Sequence, residues 1–471
     1  MFISASDLSN LSRTIDVVTV GAGAAGIALA RALDAAGLTV LLVEGGGLET
    51  SDESQQLYDG TYSGLPYSLL GSRARYFGGT TNHWSGWVRP LDPDDFSSWP
   101  ISAEALAPYL ADALTLLDID PTAVWQPPSN STVATPLPAD SGFDEVYWQF
   151  SRPPTRFASK YQPELTEARN VLVLLNHTLS DLIFGEGGKV EAAEFLPTTG
   201  GDPILVSART FVLAMGGIEI PRVLLYFNAR HGTNYGNQSG ELGRNFMEHP
   251  HITLGDVVVT DRAYIHTEGQ RFFRPGTQFR AEYGVLGAGI RFNLFADPEF
   301  NRDVRDELAE ITRLPNNGWR GGSLFAASEQ APDPSNRITL TSATDALGIP
   351  KPDLHLNLTA LDIETLRVIA LQFAYTMLRA NLGRCRLQPW VYDPTLAVAP
   401  DYWGNHHMGA TRMAGAERGG VVDSDCRVFG TQNLYIAGSS VFPTGGYANP
   451  TLTILQLTLR LADHLIGQFL I

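Results

Sequence analysis

Hydrophobic residues near the N-terminus form two short runs on either side of a helical pattern. Residues 15–20 (IDVVTV) predict a strand, residues 24–37 predict a helix, and residues 38–44 (LTVLLVE) predict a second strand. A glycine-rich turn separates the first strand from the helix. Residues 15–47 therefore have the pattern and length of one βαβ unit of the kind that binds a nucleotide.

Two further patterns predict how the chain continues. Residues 210–226 (TFVLAMGGIEIPRVLLY) predict a strand, a Gly-Gly turn and a helix that returns the chain to the first sheet. Residues 252–360 alternate β-like runs with turns, which predicts a second, mainly antiparallel sheet, and a helix is expected around 361–380. The fold class predicted by this order is α/β, with a parallel nucleotide-binding sheet and an inserted antiparallel domain.

The segments between these units are less regular. A helix is predicted to begin after Ser102 as N-cap, and the prolines between 121 and 154 predict an irregular stretch that we interpret as a lid or surface excursion. Residues 451–471 predict a helix of a soluble protein, because Gln456, Arg460 and Asp463 interrupt its apolar character. No membrane span is expected.

Composition and charge exclude several classes of function. The 471 residues are 44% hydrophobic and 18% charged, which is typical of a globular protein. The net charge of −17 argues against a nucleic-acid partner and fits a neutral or cationic substrate better than an anionic one. The two cysteines, Cys385 and Cys426, form no CxxC pair, so we expect neither a disulfide framework nor a cysteine-bound metal. A signal-peptide pattern is absent from the first residues, so we expect a cytoplasmic location.

The glycine-rich turn carries the first candidate chemistry. Gly21 allows the tight turn, Gly23 allows close approach of a pyrophosphate, and Gly26 allows the helix to pack on the strand. Glu44 at the end of the second strand is placed to accept hydrogen bonds from a ribose diol. This fingerprint fits FAD or NAD equally well.

Six segments, in order, resemble the glucose-methanol-choline (GMC) oxidoreductases, a family of FAD enzymes. They are the N-terminal unit, RYFGGTTNHWSGW, LAMGGIEIPRVLL, LGRNFMEHPH, EQAPDPSNRITL, and a C-terminal segment that contains NHHMGATRMAG and RVFGTQNLYIAGSSVFPTGGYANPTLT. The resemblance implies a two-domain fold similar to that of p-hydroxybenzoate hydroxylase. It implies a discontinuous FAD-binding domain (1–90, 160–250 and 396–471), a lid or excursion (91–159) and a substrate-binding domain (251–395).

The resemblance also implies a catalytic pair that faces the flavin. His406 in HHMGATRM matches the family's catalytic histidine, and a histidine with an ordinary pKa of about 6.5 is suited to accept a hydroxyl proton. The adjacent His407 is the competing candidate, since neighbouring residues of an extended segment point to opposite faces. Asn449 matches the second catalytic position, but as the residue before Pro450 it also fits a helix N-cap. The His–Asn pair resembles the branch that contains pyranose oxidases and the fructose, sorbitol and gluconate dehydrogenases.

Further residues are assigned to the cofactor by the same resemblance. The segment RYFGGTTNHWSGW resembles the family's GG-loop, whose glycines let the backbone pass a planar ring and whose hydroxyl groups can bond to flavin atoms. His83 matches a histidine that pyranose oxidases join covalently to the flavin, and a packed, unlinked histidine is the alternative. The remaining expected cofactor contacts are Gly78, Gly79, Thr80, Thr81, Ser85, Gly438, Ser439, Pro450 and Thr451. His249 and His251 in EHPH lack the further ligands of a metal site, so no metal is expected.

We therefore expect an enzyme that oxidises a C–OH group of a sugar, polyol or other polar alcohol by hydride transfer to FAD. Dioxygen or another electron acceptor would reoxidise the flavin, and the sequence does not choose between an oxidase and a dehydrogenase. Two alternatives remain open: an FAD-containing lyase without net redox chemistry, similar to hydroxynitrile lyases, and a flavoprotein subunit of an electron-transfer complex. The sequence leaves the oligomeric state open.

Overall fold

The structure is a computed structural model that describes residues 1–8, 13–123, 125, 137–260, 271–294, 310 and 319–469. Its helices are Ala5–Leu8, Ala24–Ala35, Asp52–Gln56, Leu110–Leu116, Phe157–Glu167, Glu219–His231, Thr277–Tyr283, Ala360–Arg379, Pro389–Tyr392 and Thr451–Phe469. Short 3₁₀ turns lie at Gly79–Asn82, Pro93–Phe96, Ala103–Ala105, Ala107–Tyr109, Glu186–Gly188, Glu417–Gly419 and Ser439–Val441. Within these ranges no helix combines the length and apolarity needed to span a bilayer.

A parallel sheet of six strands forms the centre of the nucleotide-binding region. Its order is Phe2–Ile3, Val171–Leu174, Val40–Val43, Val17–Val20, Thr210–Leu213 and Leu434–Ile436. The four central strands are buried along their whole length, as expected for a parallel sheet covered on both faces. The predicted βαβ unit and the strand that returns at 210–213 are therefore confirmed.

A larger antiparallel sheet forms the second layer of the molecule. Its order is Gly383–Leu387, Pro250–Thr260, Trp319–Ser328, Ala288–Leu294, Arg271–Pro275 and Phe143–Tyr147, with Tyr402–Trp403 also paired to Pro250–Thr260. The helix Ala360–Arg379 packs its apolar face on this sheet. The antiparallel sheet and its flanking helix were both predicted. The edge strand Phe143–Tyr147 lies outside the boundaries 251–395 that the sequence predicted for the substrate-binding domain.

Three smaller sheets complete the described strands. Ile204–Val206, Val190–Pro197 and His177–Phe184 form an antiparallel sheet. Arg337–Thr344 pairs with Pro350–Leu356, which in turn pairs in parallel with Thr61–Gly64. Trp87–Val88 pairs with Gln149–Phe150.

The prediction of an α-helix that begins directly after Ser102 is wrong for the first two turns. The chain forms 3₁₀ turns over Ala103–Ala105 and Ala107–Tyr109, and the α-helix begins only at Leu110. The Ser102 side chain makes no capping hydrogen bond. Pro108 has no backbone N–H to donate and clashes with the preceding turn, which explains the interruption.

Candidate active site

A cavity of about 870 Å³ lies between the parallel sheet and the antiparallel sheet. At one end it is lined by residues at the carboxyl ends of parallel strands, namely Val20, Glu44, Ala214 and Ala437. Ligands of open α/β sheets bind at this edge, because helix N-termini and loops converge there. At its other end the cavity reaches the loop that carries His406 and the strand that carries Arg291.

The turn after the first strand is shaped to receive a pyrophosphate. Gly21 has φ +103°, and a Cβ there would lie 2.6 Å from the Ala214 carbonyl oxygen. A Cβ on Gly26 would lie 1.8 Å from the carbonyl oxygen of Gly21, which confirms that this glycine is needed for helix packing. In contrast, a Cβ on Gly23 would meet no atom within 4 Å, and no side chain caps the helix that follows. The amides at this helix N-terminus therefore face open space that fits a phosphate group.

Glu44 lines the cavity but already makes two backbone contacts. Its Oε2 accepts a hydrogen bond from the Ala22 amide at 2.8 Å, and its Oε1 accepts one from the Gly46 amide at 2.9 Å. The carboxylate is only 6% exposed. Its position thus supports the turn geometry, and its contact with a ribose diol stays a prediction.

The GG-loop lies directly against the turn at Gly21 and Gly23, which we call the nucleotide turn. A Cβ on Gly79 would lie 3.1 Å from the Cα of Gly23, and one on Gly78 would clash with the backbone of residue 158. Both glycines have positive φ, so the close approach requires them. The Thr81 hydroxyl group donates to the Gly78 carbonyl oxygen at 2.6 Å, so its proton is already committed to the loop.

The structure brings most of the predicted residues to one cavity. Fourteen of the sixteen predicted catalytic and cofactor residues line it, and the two others, Gly26 and Gly78, lie behind its wall in close packing contacts. The fourteen are Gly21, Gly23, Glu44, Gly79, Thr80, Thr81, His83, Ser85, His406, Gly438, Ser439, Asn449, Pro450 and Thr451.

The two adjacent histidines have different surroundings. The Nδ1 atom of His406 is 2.9 Å from the Nδ1 atom of His249, and its Nε2 atom has no hydrogen-bond partner among the described residues. His407 is 9% exposed, and its Nε2 atom is 2.6 Å from the hydroxyl oxygen of Tyr67. His406 therefore has a free ring nitrogen at the cavity, whereas His407 is bound within a buried network.

Burial keeps these imidazoles neutral. It lowers the pKa of His249 to about 4, that of His251 to about 3 and that of His407 to about 3. The pKa of His406 is held well below its usual value by burial first and then by the neighbouring histidines. A neutral imidazole is the form that can accept a proton.

Glu248 anchors the backbone of the histidine pair. Its Oε2 accepts hydrogen bonds from the amides of His249 at 3.0 Å and His406 at 2.9 Å, and its Oε1 accepts one from the Tyr67 hydroxyl group at 2.6 Å. Burial raises the pKa of this carboxyl group to about 7. One carboxyl group thus fixes the spacing between two chain segments that are far apart in sequence.

Asn449 lies just before the C-terminal helix. That helix begins at Thr451, and its first amide bond runs from Ile454 to the Pro450 carbonyl oxygen at 2.8 Å, so Asn449 is not the N-cap. Within the described residues the Asn449 side chain makes no hydrogen bond, and it lines the cavity. The capping interpretation is therefore wrong, and the amide is available to a ligand.

Sequence reasoning missed several residues of this site. Tyr67, Glu248 and Arg291 were not singled out, and His249 and His251 were considered only as a metal pair. The segment LGRNFMEHPH contains Glu248 and His249 and could have drawn attention to them. The residues that they contact, Tyr67 and His406, lie in distant segments. In the part of the chain that the structure describes, no group of three or more His, Cys, Asp or Glu side chains is arranged to hold a metal ion.

Comparisons with known proteins agree with the resemblance that the sequence motifs indicated. A family model described as GMC oxidoreductase matches residues 332–458. The chain is 24% identical to the fructose dehydrogenase large subunit of Gluconobacter japonicus, over 98% of this chain and 99% of that protein. It is also 24% identical to a 2-methyl-1,2-propanediol dehydrogenase of Mycolicibacterium austroafricanum, over 96% of this chain and 95% of that protein.

The fold agrees with these relatives. An FAD-dependent oxidoreductase from Chaetomium thermophilum superposes with a TM-score of 0.61 at 15% identity, over 97% of this chain and all of that one. This likeness supports the two-domain α/β fold that the sequence predicted. Residues 332–458 match the GMC oxidoreductase family, and the relatives that align over nearly the whole chain are dehydrogenases of alcohols and sugars, so the protein is an FAD-dependent oxidoreductase that acts on CH–OH groups and is similar to the GMC oxidoreductases.

Proposed function

We propose that this protein oxidises a secondary or primary alcohol of a sugar, polyol or other polar metabolite, with His406 as the general base and Asn449 as a hydrogen-bond donor to the substrate oxygen. The observation that carries the proposal is the contact at 2.9 Å between His249 Nδ1 and His406 Nδ1. It orients the His406 ring and leaves Nε2 free in a cavity shared with the nucleotide turn.

The contact between the two Nδ1 atoms requires one ring to donate and the other to accept. His249 Nε2 is buried without a hydrogen-bond partner among the described residues. The proposed role as general base corresponds to the tautomer in which His406 Nδ1–H donates to His249 Nδ1. This tautomer leaves a lone pair on His406 Nε2, as a general base requires.

His407 is unsuited to the same task. The Tyr67 hydroxyl group has one hydrogen, and donating it to Glu248 requires His407 Nε2–H to donate to the Tyr67 oxygen. With Glu248 ionised, His407 Nε2 therefore carries a hydrogen and offers no lone pair. Adjacent residues thus have separate roles, with His407 as part of the supporting network.

The reaction divides between cofactor and protein. The turn at Gly21 and Gly23 and the loop at Gly79 would hold FAD, which would supply the acceptor for the hydride from the substrate carbon. His406 accepts the hydroxyl proton at Nε2, and its Nδ1–H continues to donate to His249 after this transfer. Asn449 can donate its amide hydrogen to the substrate oxygen as charge develops there.

The sugar and polyol preference is supported by the names of relatives, which include a fructose dehydrogenase and a C-glycoside 3-oxidase. A covalent link from His83 to the flavin belongs to the same proposal. His83 lies at the cavity with Nε2 at 3.2 Å from the Tyr76 hydroxyl oxygen, a contact that a link through this nitrogen would have to break.

The test is anaerobic mixing of the flavin-loaded protein with sugars, polyols, aromatic alcohols and aliphatic alcohols while the visible flavin band is recorded. Bleaching by one class is expected, and His406→Gln should slow it by roughly 10²- to 10⁴-fold. His464→Gln is the matched control, because that histidine lies on the C-terminal helix and bonds to Gln468 outside the cavity. A flavin that no alcohol bleaches would favour the lyase alternative. An unchanged rate in His406→Gln would contradict the assignment of the base.

A further inference from the structure

Arg291 lies on the wall of the cavity opposite the nucleotide turn. It belongs to the strand Ala288–Leu294 and is paired in register with Phe325 of the next strand. Its neighbours Ile290 and Phe292 pack into the apolar core behind the sheet. Because side chains alternate along a strand, Arg291 lies on the other face, which forms the cavity wall.

Aromatic rings surround the guanidinium group. Its central carbon lies 4.5 Å from the ring centre of Trp87, 5.0 Å from that of Phe325 and 5.6 Å from that of Phe272. Stacking on ring faces favours the cation and holds its plane in place. The guanidinium group is therefore held in one orientation among these three aromatic rings.

Arg291 has no carboxylate partner among the described residues, and its Nε atom is buried without a hydrogen bond. Two other buried arginines near this cavity have carboxylate partners: Arg73 contacts Glu219, and Arg222 contacts Glu219 and Asp345. Arg75, which also lines the cavity, donates instead to the hydroxyl groups of Ser54 and Thr178. Burial lowers the pKa of Arg291, and Tyr402 is the side chain that opposes this shift. A half-buried cation without a counter-ion is costly unless a ligand supplies one.

We propose that Arg291 binds an oxyanionic group, a carboxylate or a phosphate, on the alcohol substrate. The inference rests on the proposed function, because it places the charged end of the substrate beside the histidines that would act on its hydroxyl group. His251 connects the two regions, since its ring centre lies 5.7 Å from Phe325 and 6.3 Å from His406.

From the net charge of −17 we expected a neutral or cationic substrate. Exposed charges act only over a screening length of about 8 Å at physiological ionic strength. A guanidinium group inside the cavity acts at hydrogen-bond distance and is screened much less. The local cation therefore outweighs the distant acidic surface in selecting the substrate.

The first test measures binding without turnover. The flavin-loaded protein is titrated with benzoate and with its uncharged isostere benzamide, and the change in the visible flavin spectrum gives each dissociation constant. Benzoate should bind roughly 10- to 100-fold more tightly, an advantage that Arg291→Met abolishes and Arg291→Lys keeps in part. Arg384→Met is the matched control, since Arg384 bonds to Gly383 and Asn381 away from the cavity. Equal binding of the two probes by the unaltered protein would overturn the inference.

The second test uses glucose, glucuronate and glucose 6-phosphate, which differ only at C6. Faster anaerobic bleaching by glucuronate or by the phosphate, lost in Arg291→Met, would support the inference and identify the anion. Equal loss for all three substrates would overturn it, because the arginine would then act on the common sugar. A benzoate advantage without bleaching by any alcohol would leave the anion site in place while contradicting the proposed function.

Discussion

Replacement of His407 by glutamine tests the buried network directly. The histidine ring is enclosed by Tyr67 and Phe246, and its Nε2 atom is 2.6 Å from the Tyr67 hydroxyl oxygen. Glutamine has similar length and can donate its amide hydrogen to the same oxygen, but it does not titrate. The substitution therefore removes one proton-binding site while keeping a hydrogen bond.

The expected magnitude follows from the pKa. Burial lowers the pKa of His407 to about 3, whereas an unfolded histidine has a pKa of about 6.5. The neutral ring makes its full contribution to the free energy of unfolding above pH 6.5. This contribution is lost as the pH falls towards 3, because in that range only the unfolded chain takes up the proton. The loss is about 1.4 kcal/mol per pH unit, or roughly 2 kcal/mol at pH 5.

The assay is urea unfolding followed by tryptophan fluorescence at pH 7.5, 6 and 5, with a fixed concentration of FAD. Relative to the unaltered protein, His407→Gln should gain roughly 2 kcal/mol between pH 7.5 and pH 5. His249, His251 and Glu248 titrate in both proteins, so the difference between the two proteins reports the removal of His407. Tyr67→Phe is the control: it should lower stability at every pH by about 1–3 kcal/mol without changing the slope below pH 6.5. If the unfolding free energies of His407→Gln and of the unaltered protein changed with pH in the same way, the reasoning would be refuted.

Three further predictions concern the cofactor site and the buried charges. Gly23→Ala should leave the unfolding midpoint of the flavin-free protein unchanged and weaken FAD binding, whereas Gly26→Ala should cost about 1–3 kcal/mol of stability even without FAD, because its Cβ would overlap the Gly21 carbonyl oxygen. Arg222→Met leaves the buried Asp345 without its cation and Glu219 with Arg73 alone, and it should lower the unfolding free energy by about 3–5 kcal/mol, measured in urea. Acid precipitation should leave flavin on the unaltered protein but release it from His83→Ala, and complete release from both would contradict a covalent link.

Local patterns were sufficient for the elements that depend on neighbouring residues. The strand Val17–Val20, the helix Ala24–Ala35 and the strand Val40–Val43 follow from hydrophobic periodicity and from glycines that permit a tight turn. The long helices near 361–380 and at the C-terminus were predicted for the same reason. The helix after Ser102 was wrong at its start because a single proline outweighed a helical pattern.

Only the tertiary structure decided which side chains form the site. The sequence already indicated His406 and Asn449 through motifs, but the hydrogen bond that orients His406 comes from His249, which lies 157 positions away. Tyr67 and Arg291 are in segments without any local signal of function. Short-range periodicity reports which face of an element is buried, whereas hydrogen-bond partners and charge neighbours depend on how distant strands are brought together. The sequence therefore determined the cofactor fold and the motif histidine, and the packing of the two sheets decided which nitrogen is free and which cation faces the substrate.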